Sequence, residues 1–126
     1  MKDEWSFIPQ LPKSQCEEIF VDVGRNVKLR ILKWMPLDST FEEANQLIMI
    51  PGWGSVFEGW RPLLSEWVSR RSIIYIETRE KKSAIIGKKI NKKDFQMSEH
   101  AKDLIEIIKY FELDMNKIDW FSSSLG

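Results

Sequence analysis

The stretch that decides the fold is residues 117–126, which read Lys-Ile-Asp-Trp-Phe-Ser-Ser-Ser-Leu-Gly. The apolar half predicts a short strand, and the serines and glycine after it predict a tight turn. Ser-x-Gly directly after a strand is typical of a nucleophile elbow, the sharp turn that holds a serine hydroxyl above a sheet. The candidate nucleophile is Ser124. Its neighbours two positions away, Ser122 and Gly126, are small, as the close backbone approach in such a turn requires. Because serines are also ordinary turn residues, the rest of the chain must decide whether Ser124 is a nucleophile or only part of a turn.

Composition limits the classes of protein that fit. The chain has 126 residues, enough for one domain with one core. Nineteen basic and nineteen acidic side chains cancel, so net charge favours neither nucleic acid nor an anionic membrane as a partner. One cysteine and one histidine do not make a disulfide framework or a structural zinc site. We therefore expect a site without metal or cofactor that binds a small molecule in a pocket. With no signal-peptide pattern and no membrane-length apolar window, a cytoplasmic protein is expected.

The first third of the chain predicts an arm and a hairpin. Residues 1–15 mix two prolines with polar and apolar residues, which predicts an irregular surface arm. Two β-rich runs, 19–23 and 27–34, flank Gly-Arg-Asn at 24–26, and this pattern predicts a β-hairpin. Apolar and basic residues alternate in the second run, so one face of the hairpin is expected to be buried and the other wet.

A β-α-β unit is predicted next. Residues 46–50 form a continuous apolar run, typical of a strand covered on both faces in a parallel sheet. The turn 51–54 (Pro-Gly-Trp-Gly) follows, and then apolar residues recur at helical spacing, with Pro62 expected in the first helical turn. The stripe comprises Trp60, Leu63, Leu64, Trp67 and Val68. Residues 72–77 have the same pattern of a buried strand as residues 46–50, and this second strand completes the β-α-β unit.

The lysine-rich stretch that ends at Asp94 has two interpretations. A phosphate-binding loop needs several glycines at a helix N-terminus, and only Gly87 is present, so a solvated surface loop is favoured. A second helix is predicted from Met97. Its apolar stripe comprises Met97, Ala101, Leu104, Ile105, Ile108 and Phe111, and Asp103 is among the charged residues expected opposite it. His100 lies near the edge of this stripe and is expected to be a half-buried structural residue rather than a catalytic base.

Three stretches carry a resemblance to a known family: residues 47–54, 75–79 and 95–126. In this order and spacing they resemble the N-terminal half of an α/β-hydrolase, over most of residues 16–126. The resemblance implies an α/β fold with a mainly parallel sheet, an N-terminal antiparallel hairpin and helices on both faces, in an incomplete α/β-hydrolase fold. Residues 1–126 would then form a single partial domain, consisting of the arm 1–15 and the partial hydrolase domain 16–126.

The resemblance also implies which residues act. Ser124 would be the nucleophile, and the backbone N–H groups of Trp53 and Leu125 would form the oxyanion hole. Such donors stabilise the oxygen that becomes negative in the transition state. The supporting turn glycines would be Gly52, Gly54 and Gly126. Two positions depart from the family pattern: Pro51 replaces the usual histidine without changing a donor, and Ser122 replaces the first glycine of the elbow.

The family's catalytic acid and histidine come after the nucleophile in the chain, so both are expected beyond Gly126. Asp119, one strand residue from the elbow, is expected to contact solvent or a helix end. We therefore expect the N-terminal fragment of a serine hydrolase of carboxylesterase or thioesterase type, acting on a small acyl ester and inactive as it stands. Two alternatives remain: an acyltransferase or other non-hydrolytic enzyme of the same fold, and a non-catalytic module that binds a partner by strand addition. The sequence does not indicate an oligomeric state.

Overall fold

The computed structural model describes residues 8–37, 46–52, 57–90 and 92–122. These residues form a six-stranded sheet with two α-helices. In chain order the elements are β1 (Ser14–Gly24), β2 (Val27–Pro36), β3 (Gln46–Ile50), α1 (Phe57–Trp67), β4 (Ile73–Ile76), β5 (Ile85–Ile86), α2 (Met97–Tyr110) and β6 (Ile118–Ser122). Short 3₁₀ turns at Lys92–Phe95 and Met115–Lys117 precede α2 and β6. Neither described helix is long and apolar enough to cross a bilayer.

The sheet is mixed. Its strand order is β1-β2-β4-β3-β6, with β5 paired to β2. β2 runs antiparallel to β1, β4 and β5, whereas β3 runs parallel to β4 and β6. The expected parallel dominance is therefore not seen in the described part of the sheet. The reason is that β2 is long enough to pair with three strands, and all three run against it.

The predicted hairpin is confirmed, and its turn has a clear cause. Arg25 and Asn26 have φ angles of 55° and 61°, as a two-residue turn with the twist of a hairpin requires. β1 begins at Ser14, earlier than the sequence pattern suggested. The expected arm is thus shorter than 1–15 at its C-terminal end, and residues 1–7 lie outside the described part.

Two apolar cores contact the sheet. One contains Leu47, Met49, Ile73 and Tyr75 together with Leu64 of α1 and Val68 just after it. The other contains Ile48, Ile50, Ile74, Ile76 and Ile107 of α2. Consecutive residues of β3 and β4 belong to different cores, and consecutive strand residues point to opposite faces of a sheet. The two helices therefore pack against different sets of strand side chains.

The helix α2 is confirmed, but its predicted apolar stripe is only partly right: Leu104 and Phe111 pack against the core, and the other end of the stripe does not. The buried residues of α2 are His100, Asp103 and Ile107, whereas Met97 and Ile105 of the predicted stripe are 55% and 52% exposed. The helix is rotated because Asp103 is drawn inward by buried ion pairs. Amphipathic spacing alone does not report such partners.

Two further expectations need correction. Pro62 is the sixth residue of α1 and is exposed, so it lies beyond the first turn; there it has no N–H to donate to the carbonyl of Glu58. The lysine-rich stretch is not simply a solvated loop. It contains β5, which pairs with β2, and Ser83 and Asp94 are buried.

Candidate functional site

The two turns of the candidate site start at the same edge of the sheet. β3 and β6 are parallel neighbours, with Gln46 opposite Ile118 and Ile50 opposite Ser122. Parallel strands end at a common edge, which is where α/β folds place their ligand sites. Pro51 and Gly52 leave β3 at this edge and are buried. The chain segments that lead into the turn at 51–54 and into the serines therefore end side by side.

Aromatic side chains hold β6 and the start of α1 in place. The ring of Phe121 in β6 meets Trp60 and Trp67 of α1 edge-on, with centroid distances of 5.7 and 5.5 Å. At the start of α1, Phe57 stacks on Trp34 at 5.5 Å and meets Tyr75 edge-on at 5.7 Å. Such pairs contribute stability beyond their buried area. Both β6 and the beginning of α1 are therefore tied to the same core.

Lys81 reaches the turn after β3 from the loop after β4. Its Nζ donates a hydrogen bond of 3.0 Å to the carbonyl oxygen of Gly52, and its side chain is 16% exposed. The Lys81 backbone is held on both sides, since its N–H donates to the Thr78 carbonyl at 2.9 Å and its carbonyl accepts from the Ala84 N–H at 3.2 Å. Sequence reasoning missed this contact because a lysine in a lysine-rich stretch carries no signal of its own.

A network of charged side chains joins the loop after β4 to α2 and the hairpin turn. The guanidinium of Arg79 donates to both carboxylate oxygens of Asp103 at 2.7 Å, and to the backbone oxygen of Asp94 at 2.9 Å. Arg25 also donates to Asp103 and pairs with Glu99 at 2.8 Å. The Arg79 and Asp103 side chains are 0% and 3% exposed. The prediction that Asp103 faces solvent is therefore wrong.

A small cavity lies beside this network, at the end of β3. Its volume is about 110 Å³. Its lining is mainly apolar and includes Ile50, Pro51, Ile76, Thr78, His100 and Leu104. His100 is 9% exposed, so it is more deeply buried than the half-buried residue expected.

Solved structures match the fold of this chain over nearly its whole length. An α/β hydrolase from Novosphingobium aromaticivorans superposes with a TM-score of 0.70 at 13% identity, over 93% of this chain and 38% of that one. The Cif epoxide hydrolase from Acinetobacter nosocomialis gives 0.66 at 19% identity, over 93% and 32%. An epoxide hydrolase from Vigna radiata gives 0.65 at 11% identity, over 94% and 33%. The chain has an α/β-hydrolase fold.

Because the sequence identities are only 11–19%, these matches show that the fold is shared and nothing further. The chain spans about a third of the length of the solved hydrolase structures that it matches. No family model matches the sequence, and no curated protein matches it.

Most residues predicted to act in this hydrolase fold lie outside the described residues. They are Trp53, Gly54, Ser124, Leu125 and Gly126. The structure describes Gly52, which is buried, and Ser122, the last residue of β6. The roles of the nucleophile and the oxyanion donors therefore stay predictions.

Asp119 is half-exposed and pairs with a cation, as the expectation of a solvent contact requires. Its carboxylate accepts a 2.7 Å hydrogen bond from Arg71, which lies shortly after the end of α1, and the Asp119 side chain is 50% exposed. The prediction that Asp119 contacts solvent or a helix end is confirmed by its exposure to solvent.

Proposed function

We propose that the protein containing this chain is a serine hydrolase that cleaves a small acyl ester or thioester. Ser124 is its nucleophile, and the N–H groups of Trp53 and Leu125 bind the carbonyl oxygen. The observation that carries the proposal is the parallel register of β3 and β6, with Ile50 opposite Ser122. It supports the proposal because the two segments that hold the proposed donors then leave the sheet at neighbouring points.

The proposed chemistry has two steps. The Ser124 oxygen attacks the acyl carbon while a histidine accepts the hydroxyl proton and then gives it to the leaving group. Water, activated by the same histidine, then releases the acid from the acyl-enzyme. In each step the carbonyl oxygen becomes negative, and two fixed N–H groups stabilise it more than they stabilise the substrate.

The residues of this chain do not complete a triad in the proposal. His100 is buried in α2, and Asp119 pairs with Arg71. We therefore propose that the acid and the histidine belong to a part of the protein beyond residue 126, and that residues 1–126 alone are inactive. The matched structures support this, since this chain covers only 32% and 38% of their length.

A second candidate is epoxide opening, because two of the three matched structures described above are named epoxide hydrolases. An acyltransferase is the corresponding alternative for ester chemistry, since the same acyl-enzyme can pass its acyl group to a nucleophile other than water.

A non-catalytic module is also an alternative, because β6 lies at one end of the strand order in the described sheet and its edge offers a site for strand addition.

The test uses the gene product that contains residues 1–126 and compares Ser124→Ala with Ser123→Ala as the matched control. A fluorophosphonate probe should label the wild type and Ser123→Ala, and should not label Ser124→Ala. Ester hydrolysis should fall by roughly 10⁴–10⁶-fold in Ser124→Ala. Equal labelling of Ser124→Ala, or a folded protein without labelling, would overturn the proposal. Turnover of an epoxide but not of an ester would favour the second candidate.

A further inference from the structure

The contact between Lys81 and Gly52 is made by the same peptide group that carries a proposed oxyanion donor, the Trp53 N–H. The Lys81 Nζ is 3.0 Å from the Gly52 oxygen, and the carbonyl that carries this oxygen belongs to the peptide that joins Gly52 to Trp53. In a trans peptide the carbonyl and the N–H of the next residue share one rigid plane and point in opposite directions. A group that binds the Gly52 carbonyl therefore restrains the whole peptide plane, including the N–H on its other side.

The charge on Lys81 has a second effect on the same peptide. A hydrogen bond from a cation to a carbonyl oxygen draws electron density toward that oxygen, and the N–H of the peptide becomes a stronger donor. In a partly buried site this polarisation is less screened than in water. The Lys81 side chain is 16% exposed, so the contact lies mostly inside the protein.

We propose that Lys81 is a positioning residue for ester cleavage: by binding the Gly52 carbonyl it orients and polarises the Trp53 N–H as an oxyanion donor. The inference rests on the proposed function, and it adds a residue that the α/β-hydrolase resemblance does not indicate. Lys81 touches neither the substrate nor the nucleophile in this role. It acts through one peptide group.

The loop after β4 is built to keep Lys81 in place. The Lys81 N–H and carbonyl close successive turns with Thr78 and Ala84. The neighbouring Arg79 is anchored to Asp103 by two hydrogen bonds. Glu80 lies 4.0 Å from the Lys81 ammonium. The next residue, Lys82, is exposed, so it offers a lysine of equal charge on the same loop for comparison.

The kinetic test compares Lys81→Met with Lys82→Met in the gene product that contains residues 1–126. An oxyanion donor acts in the transition state, so Lys81→Met should lower kcat by roughly 10- to 100-fold with little change in KM. The affinity for a trifluoromethyl ketone analogue should fall by a similar factor. Lys81→Arg should restore most of kcat, and Lys82→Met should match the wild type. Equal kcat values in Lys81→Met and Lys82→Met would overturn the proposal, as would a fall in kcat that Lys81→Arg does not reverse.

A second measurement reads the peptide itself and does not depend on activity. Residues 1–126 contain two Gly-Trp pairs, Gly52–Trp53 and Gly59–Trp60, so carbonyl-¹³C glycine with ¹⁵N tryptophan marks only these two peptides. In the NMR spectrum of this chain, Lys81→Met should shift the Gly52–Trp53 signal and leave the Gly59–Trp60 signal, which comes from α1, in place. Lys82→Met should shift neither signal. An unmoved Gly52–Trp53 signal in Lys81→Met would overturn the Lys81 proposal.

The two proposals fail in different ways. If Ser124→Ala retains full activity, the serine mechanism fails, and the role of Lys81 in it fails with it, whatever the NMR signals show. If Ser124→Ala is inactive while Lys81→Met and Lys82→Met behave alike, the serine mechanism stands and only the role of Lys81 is lost.

Discussion

Asp103 is a carboxylate that the fold buries with its cationic partners. Arg79 binds both of its oxygens, and Arg25 adds a third hydrogen bond. Burying two charges gains little in net terms, because desolvation opposes their attraction. Removing one partner is different, since it leaves the other charge buried and only partly compensated. The network therefore determines how α2 sits on the sheet more than it adds to overall stability.

We predict that Asp103→Ala lowers the free energy of unfolding by about 3–5 kcal/mol, because the buried Arg79 guanidinium loses its carboxylate. Urea denaturation measures this. The control is Asp119→Asn, which breaks the half-exposed pair with Arg71 and should cost less than about 1 kcal/mol. The double variant Arg79→Met with Asp103→Leu should cost less than Asp103→Ala alone. Equal losses in Asp103→Ala and Asp119→Asn would contradict the prediction.

The C-terminus of α2 contains a residue in an unfavourable conformation. Glu112 has a φ of 52°, in the left-handed region that disfavours side chains with a Cβ. The N–H groups of Glu112 and Leu113 donate to the carbonyls of Lys109 and Ile108, the hydrogen bonds of a Schellman motif. Glycine is the usual residue at this position.

Glu112→Gly should therefore stabilise the protein by about 0.5–1 kcal/mol, after the larger entropy that glycine has in the unfolded chain is subtracted. The measurement is the urea concentration at the midpoint of unfolding, which reports stability when the denaturant slope (m value) is the same in both proteins. Glu112→Ala removes the same carboxylate but keeps the Cβ, so it serves as the control and should give no such gain. A gain of equal size in both variants would assign the effect to charge rather than to backbone conformation.

At the scale of elements, the Phe121 side chain links β6 to α1. Phe121 is half-buried between Trp60 and Trp67, whereas its neighbour Trp120 is 43% exposed. Phe121→Ala should cost about 2–3 kcal/mol, somewhat less than for a fully buried ring. Amide hydrogen exchange should accelerate in β6 and remain slow in β1 and β2. Trp120→Ala, the control, should change exchange in β6 much less; similar acceleration in both variants would argue against the Phe121 contact.

The elements of the fold follow from local patterns, but the rotation of α2 does not. Gly24 and Asn26 mark the hairpin turn, and the apolar run at 46–50 marks the strand that lies inside the sheet. Asp103 looked solvent-exposed because its partners are 24 and 78 residues away in the chain. The Lys81 contact spans 29 residues. Parallel-sheet geometry predicted that the turn after β3 and the end of β6 lie together; the predicted acting groups Trp53, Ser124 and Leu125 fall outside the described residues.

At the scale of the whole molecule, a partly buried thiol and a buried phenol link stability to alkaline pH. Burial raises the pKa of the Cys16 thiol from 9.0 to about 12, and burial also raises the pKa of the Tyr75 hydroxyl. In the folded state both groups hold their protons at pH values where the unfolded chain has released them. The unfolded state then binds fewer protons, so the free energy of unfolding falls as pH rises above the unfolded pKa.

Cys16→Ser should therefore make the urea midpoint fall less steeply than in the wild type between about pH 8 and about pH 10.5, because serine does not titrate in this range. The same thiol should react slowly with iodoacetamide at about pH 8.5, roughly 10³-fold slower than an unfolded cysteine, since the thiolate is the reactive form. Identical pH slopes in the wild type and Cys16→Ser would show that the thiol does not contribute.

The position of β3 between β4 and β6 has a consequence for synthesis on the ribosome. β3 is translated about 70 residues before the end of β6, which at roughly 5–20 residues per second corresponds to several seconds. During that interval one side of an apolar strand has no hydrogen-bonding neighbour, and unpaired strand edges promote aggregation. We therefore expect the nascent chain to need chaperones that hold extended apolar segments until β6 emerges.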